Sequence, residues 1–137
     1  MARLMAIDYG TKRTGLAITD ELQIIASGLT TVSTSDLLAF IADYSKKESL
    51  ETIIIGEPKR LHNEASDVEQ DIQKFIRKLS KTLPKINIAR VDERFTSKMA
   101  FQTMIDSGLS KKKRRDKNLV DEISATIILQ SYLYSKS

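Results

Sequence analysis

Three acids stand where a chain of this kind can build a site. Asp8 ends an apolar strand pattern immediately before a glycine turn. Glu93 falls just past another such pattern, in Val91-Asp92-Glu93-Arg94, and Asp121 lies in the first turn of a late helical pattern, three residues after Asn118. Singly, each has an ordinary structural explanation, as a turn initiator, half of a surface ion pair or a complement to a helix dipole. Jointly they meet a harder requirement. Carboxylate oxygens select Mg²⁺ or Mn²⁺, and a pair of such ions about 3.5–4 Å apart can activate water and stabilise the leaving oxygen in phosphodiester cleavage. Competing chemistries are few. With no cysteine there is no disulfide, thiolate zinc site or thiol nucleophile, and the single histidine, His62, reads as a loop residue.

The formal charge of +4 is modest, but it is unevenly spread. Lys111-Lys112-Lys113-Arg114-Arg115 forms a basic run between two helical patterns, read either as a solvated loop or as a phosphate-binding surface. Lys59 and Arg60 are placed to extend that surface.

A chain of 137 residues, 41% of them apolar, describes one domain, residues 1–137. No stretch approaches the roughly 18 apolar residues of a membrane helix, and charge appears too early for a signal peptide, so a soluble, cytoplasmic protein without a membrane partner is expected.

The elements that must position the acids follow from periodicity. Arg3 to Tyr9 and Thr14 to Asp20 read as strands joined through Gly10-Thr11-Lys12-Arg13, and Ile24 to Val32 as a third. Thr34 or Ser35 can cap a helix reaching about Glu48, with Leu37, Leu38, Ile41, Ala42 and Tyr44 as its apolar stripe. Thr52 to Gly56 has the doubly apolar character of a central strand. Ser66-Asp67-Val68-Glu69 is a capping box for a helix carrying Val68, Ile72, Phe75, Ile76 and Leu79. Ile86 to Val91 reads as a strand, Ser97 to Ser107 as a helix stopped by Gly108, and Asn118 as the cap of a last helix with Leu119, Ile123, Ile127 and Tyr134 along one side. Tyr132 and Tyr134 read as packing residues rather than base-stacking platforms. The order βββαβαβαα argues for an α/β fold, a mixed sheet with helices on both faces.

The same residues resemble the YqgF/RuvX family, relatives of the RuvC Holliday-junction resolvases in the RNase H-like superfamily. Asp8-Tyr9-Gly10-Thr11-Lys12-Arg13-Thr14-Gly15-Leu16-Ala17 is similar to the family's opening D-x-G-x-x-R-x-G-x-A signature. Gly56-Glu57-Pro58 resembles its G-x-P turn, Asp92-Glu93-Arg94-Phe95-Thr96-Ser97 its DER block, and the stretch from Asp121 to Gln130 its terminal helix. The blocks span nearly the whole chain in order. The resemblance implies an RNase H-like five-stranded sheet, three antiparallel strands first and parallel additions after, with Asp8, Glu93 and Asp121 as a metal-binding triad at its rim. Glu57 is a rival to Glu93, because in RNase H-like nucleases the second acid commonly ends the strand beside the first.

The family position of Lys12 and Arg13 implies that they hold a phosphate beside the metals, while Arg94 either orients Glu93 or meets the scissile phosphate. The implied activity is maturation of the 5′ end of pre-16S ribosomal RNA by in-line attack of water, as monomer or homodimer. Resolution of four-way DNA junctions, which needs a dimer, is the first alternative. A non-catalytic RNA-binding scaffold is the second, and three intact acids count against it. Sugar or acetate kinases with a related sheet use a site between two such domains, and this chain has room for one.

Overall fold

The computed structural model describes residues 2–58, 67–92 and 117–136. Five strands form one sheet in the order β3-β2-β1-β4-β5, with β1 Arg3–Asp8, β2 Arg13–Thr19, β3 Ala26–Ser33, β4 Leu50–Glu57 and β5 Asn87–Asp92. β1 pairs antiparallel with β2, and β2 with β3, whereas β4 joins β1 in parallel and β5 joins β4 in parallel. The expected mixed architecture is therefore the observed one. Helices α1, Leu37–Lys47, and α2, Asp67–Thr82, lie on one face, and α3, Lys117–Lys136, lies on the other.

Alternation along the strands sorts side chains to these two faces, since successive residues of a strand point opposite ways. Met5, Ile7, Leu16, Ile53 and Ile55 pack with Leu37, Ile41, Ile72, Phe75 and Leu79 of α1 and α2. Leu4, Ala6, Ala17 and Ile54 pack with Ala125, Ile128 and Leu129 of α3. β1 and β4 carry apolar residues at both parities because both of their faces are covered. Small residues at Ala6, Gly15 and Ala17 let α3 approach closely.

Local chemistry moves several boundaries. The third strand starts at Ala26 rather than Ile24, because Asp20 Oδ1 accepts hydrogen bonds from the backbone amides of Ile24 and Ile25, each at 2.8 Å, and Gln23 adopts a positive φ of 58°. Those amides serve a turn, and both isoleucine side chains are left exposed. Residues Thr34–Asp36 form a 3₁₀ turn and α1 begins at Leu37, so Thr34 does not cap it.

The Ser66 half of the capping box lies outside the described residues; Glu69, the other half, gives its carboxylate to Arg90 and Gln73. Asn118 lies inside α3 rather than at its cap. Ile127 of the expected face is buried, as are Ala125, Ile128 and Leu129 with Tyr132 beside them, whereas Tyr134 is exposed. The helix expected over 97–107, the basic run 111–115, Lys59, Arg60 and His62 lie outside the described residues. Among the described residues, no helix is long and apolar enough to cross a membrane.

Candidate functional site

Asp8 is the last residue of β1, at the sheet's rim, and its register partner on β2 is Gly15. By alternation with Leu4 and Ala6, it belongs to the α3 face. Gly15 is a point of close approach between α3 and the sheet. A Cβ built there would fall on the backbone carbonyl and carbonyl carbon of Asp121, and 2.9 Å from that residue's own Cβ. Only glycine leaves room for the helix backbone at this point, and the contact seats Asp121 over the strand position opposite Asp8. Two acids 113 residues apart in sequence are thereby gathered at one rim of one face.

Asp121 lies a full turn into the described helix, whose first turn holds no acid. A dipole-complementing role, which fades beyond the first turn, does not account for it. Asp121 pairs with Arg13, the first residue of β2. Arg13 shares the parity of Gly15 and Ala17, so its side chain also faces α3, and Nε donates to Asp121 Oδ2 at 2.6 Å. Both side chains are partly exposed.

The turn between Asp8 and Arg13 is held from the other side of the sheet by Thr34. The Thr34 amide donates to Lys12 O at 3.0 Å, and its hydroxyl donates to Gly10 O at 2.6 Å. That hydroxyl has a single proton, already given to the carbonyl, so Thr14 Oγ1, 2.9 Å away, must be the donor in their mutual bond. The turn is also closed tightly on itself, since a Cβ at Gly10 would meet the carbonyl oxygen of Arg13. Between turn and helix is a hollow of ≈ 230 Å³, lined by Gly10, Thr11, Lys12, Arg13 and Asp121. Two cationic side chains beside the rim carboxylates suit a phosphate group approaching those acids.

Across the parallel half of the sheet, Arg90 fixes the ends of β4 and β5. Its Nη1 and Nη2 donate to Glu69 Oε2 and Oε1 at 2.9 and 2.7 Å, while Nε and Nη2 donate to the carbonyls of Ile55 and Gly56, each at 3.1 Å. The Arg90 guanidinium holds the Glu69 carboxyl below the usual carboxylate range, against the opposing effect of burial. This clamp and Thr34 are the residues that reading the sequence missed. The signal for the clamp was a lone arginine inside the apolar strand Asn87-Ile88-Ala89-Arg90-Val91, where burying a charge requires an acid nearby.

Of the expected site residues, the structure brings together Asp8, Lys12, Arg13 and Asp121. Glu57 ends β4 at the parity of Ile53 and Ile55, which puts it on the α1 and α2 face, opposite to Asp8 and Asp121. Glu93 and Arg94 follow directly on the last residue of β5, outside the described residues. Among the described residues, no three of histidine, cysteine, aspartate and glutamate gather closely enough to hold an ion. The pair at the rim still fits Mg²⁺ or Mn²⁺ in kind, as hard carboxylate donors on one face of a fixed edge. Tyr9, next to Asp8, turns to the other face, where its ring lies 5.7 Å from Phe75 and burial pushes its phenol up.

Known proteins resemble this chain over nearly its whole length. The family model described as RuvX, Holliday junction resolvase, matches residues 2–135. A protein of Christiangramia forsetii is 62% identical over 134 residues, covering 98% of this chain and 99% of that protein. One from Flavobacterium psychrophilum is 61% identical over 136 residues, covering 99% of each. A third, from Bacteroides fragilis, is 59% identical over 136 residues with the same coverage. All three are provisionally named as pre-16S rRNA nucleases. Among solved structures, Thermus thermophilus RuvC in complex with a Holliday junction substrate superposes with a TM-score of 0.61 at 15% identity, covering 99% of this chain and 96% of that one. A second T. thermophilus RuvC structure superposes at 0.58 and 13%, covering 98% and 95%. At such identities the likeness concerns the fold, which is RNase H-like.

Proposed function

The chain belongs to the RuvX family, and from that membership and the geometry of the rim we propose that it is a metal-dependent nuclease, hydrolysing phosphodiester bonds at the 5′ end of pre-16S ribosomal RNA in the cytoplasm. The observation that carries this reading is the contact between Gly15 and Asp121, which turns two acids distant in sequence into neighbours at one strand end. Unrelated structural acids have no need of such an arrangement.

In this reading Asp8, Asp121 and Glu93 hold Mg²⁺ or Mn²⁺. The bound ions supply an activated water and neutralise charge developing on the scissile phosphate during in-line attack. The chain's own groups do the positioning. Lys12 and Arg13 receive a backbone phosphate at the hollow beside Asp121, and Arg94 orients Glu93 or the same phosphate. Lys111, Lys112, Lys113, Arg114 and Arg115 hold the flanking backbone through interactions that carry charge but little sequence information. Glu93 is preferred to Glu57 because Glu57 shares the parity of the α1 and α2 face.

A second reading is favoured by the RuvC likeness and by the family's description: the same chemistry on four-way DNA junctions. Paired symmetric cuts on a junction require two sites related by a dimer axis, so a strict monomer argues for RNA. The test is labelled pre-16S RNA and a four-way junction incubated side by side with Mg²⁺, Mn²⁺ or chelator. Metal-dependent cutting of the RNA at its 5′ flank is the expected outcome. Cutting of the junction alone would transfer the activity to DNA, and undiminished cutting in chelator would refute the metal mechanism.

A further inference from the structure

Arg13 belongs at once to the acidic rim and to the hollow beside it. Its Nε is committed to Asp121 Oδ2 at 2.6 Å, a charge-assisted contact of the short, strong kind. Its terminal nitrogens make no hydrogen bond among the described residues, and the side chain lines the ≈ 230 Å³ hollow with Gly10, Thr11, Lys12 and Asp121. The backbone beneath it does not share this freedom, because Thr34 fastens the carbonyls of Gly10 and Lys12. The turn is fixed, and only the long side chain can change partner.

A divalent cation approaching Asp121 meets a guanidinium already hydrogen-bonded to the carboxylate. Positive charges of one and two units, a few ångströms apart in partly buried surroundings, repel strongly, so the carboxylate cannot serve both at full strength. A phosphate in the hollow offers the guanidinium an equivalent partner, since the planar fork accepts carboxylate and phosphate oxygens alike. Moving from one anion to the other exchanges like for like.

We propose that Arg13 is a built-in counter-ion of Asp121 that a divalent cation must displace, and that a nucleic-acid phosphate entering the Gly10–Arg13 hollow draws the guanidinium away. Phosphate and metal then bind cooperatively, each raising the affinity for the other by the same factor. This rests on the metal-site reading above, and it makes Arg13 a positioning residue with an unusual sign. Removing it should improve metal binding in the free protein while weakening the hold on phosphate. A merely structural role predicts the reverse, since losing a structural ion pair loosens the site.

The test is a titration of the full chain with Mn²⁺ alone, free ion being followed by electron paramagnetic resonance, in the wild type, Arg13→Gln, Arg13→Lys, Asp8→Asn and Asp8→Asn combined with Arg13→Gln. Arg13→Gln should bind Mn²⁺ about fivefold more tightly or better than wild type, the low end of usual coupling factors. Arg13→Lys, which keeps the charge, should stay near wild type. Adding a short oligodeoxynucleotide should tighten Mn²⁺ binding more in the wild type than in Arg13→Gln, because the variant lacks the guanidinium that phosphate draws from Asp121. Equal or weaker Mn²⁺ binding by Arg13→Gln, with binding still abolished by Asp8→Asn, overturns the counter-ion role and leaves the metal site standing. Equal tightening by Gln and Lys also overturns it, by showing that shape rather than charge is at work. Binding of Mn²⁺ by Asp8→Asn as by wild type removes the metal site itself, and the proposal with it. If Arg13→Gln does not fold, Arg13→Ala answers the same question.

Discussion

The carbonyl oxygen of Asp121 occupies the space that a side chain at Gly15 would fill. An acid of the candidate site therefore depends on the absence of a single carbon, and the neighbour it excludes is helix backbone that cannot rotate aside. Gly15→Ala should force α3 away from β2. Overpacking of this kind costs about 1–3 kcal/mol, and urea unfolding should report at least that. Gly28→Ala, on β3 against the same helix, is the control, since its Cβ would lie 3.5 Å from Glu122 Cβ in ordinary contact. Similar losses from the two alanines would deny Gly15 its special role.

Thr34 carries the second structural prediction. Thr34→Val keeps the shape but leaves Gly10 O and Thr14 Oγ1 without their partner, while Thr34→Ser keeps the hydroxyl. Valine should cost about 1–3 kcal/mol through the unsatisfied groups, and should lower cleavage beyond the loss of folded protein by loosening the turn that bears Lys12 and Arg13. Serine should restore both. A valine variant with full activity per folded molecule would separate the turn from the chemistry.

How much of this is legible in the sequence depends on whether an interaction is local. The strands and the first two helices announce themselves by periodicity, and Asp8 and Asp121 by their places at the ends of patterns. Thr34 does not, because a threonine ahead of a helix has an equally good local use as a cap, and only the fold brings it to Gly10. Glu69 misleads for the same reason: a local capping role competes with a partner, Arg90, that is 21 residues away. Tyr134 is misplaced when one helix face is judged by residue type alone. Ala125, Ile128 and Leu129 pack against the sheet's own small residues, and of the expected face Ile127 is buried as well.

The Glu69–Arg90 clamp predicts a pH dependence. Arg90 depresses the carboxyl's folded-state pKa, so the unfolded chain takes up a proton first as acid is added. The stabilisation is complete above the unfolded glutamate value of roughly 4.3, and is lost as pH falls through the lower folded value. Melting temperature followed from pH 7 downward should therefore show wild type leading Glu69→Gln at neutral pH, with the two curves converging in acid. A constant gap at every pH would mean that the carboxylate's charge contributes nothing.

The basic run gives a prediction that needs only its charge. Changing Lys111, Lys113 and Arg114 together to alanine should weaken RNA binding similarly across sequences and flatten its salt dependence, by roughly 0.7–0.9 in logarithmic slope for each phosphate no longer neutralised. An unchanged slope would assign these residues to solvent.

Asp8→Asn separates a metal-holding acid from a structural one, and three outcomes can be told apart. If Asp8 holds metal, the variant should lose cleavage yet retain RNA binding in chelator, since phosphate binding resides on other residues. Its melting temperature should rise less on adding Mg²⁺ than that of wild type, because a ligand stabilises the folded chain only in proportion to its binding there. Without metal, like charges at one rim repel, and Arg13 offsets this at Asp121, so neutralising Asp8 should leave the metal-free melting temperature level or higher. If Asp8 serves only to initiate the turn before Gly10, asparagine is nearly as good in that position, and both cleavage and the Mg²⁺ response should persist. If its carboxylate is instead held by structural hydrogen bonds, metal-free stability should fall by about 1–3 kcal/mol with the Mg²⁺ increment intact. The difference between melting curves with and without Mg²⁺ therefore decides the matter, because only a metal ligand lowers that increment without lowering the metal-free stability beneath it.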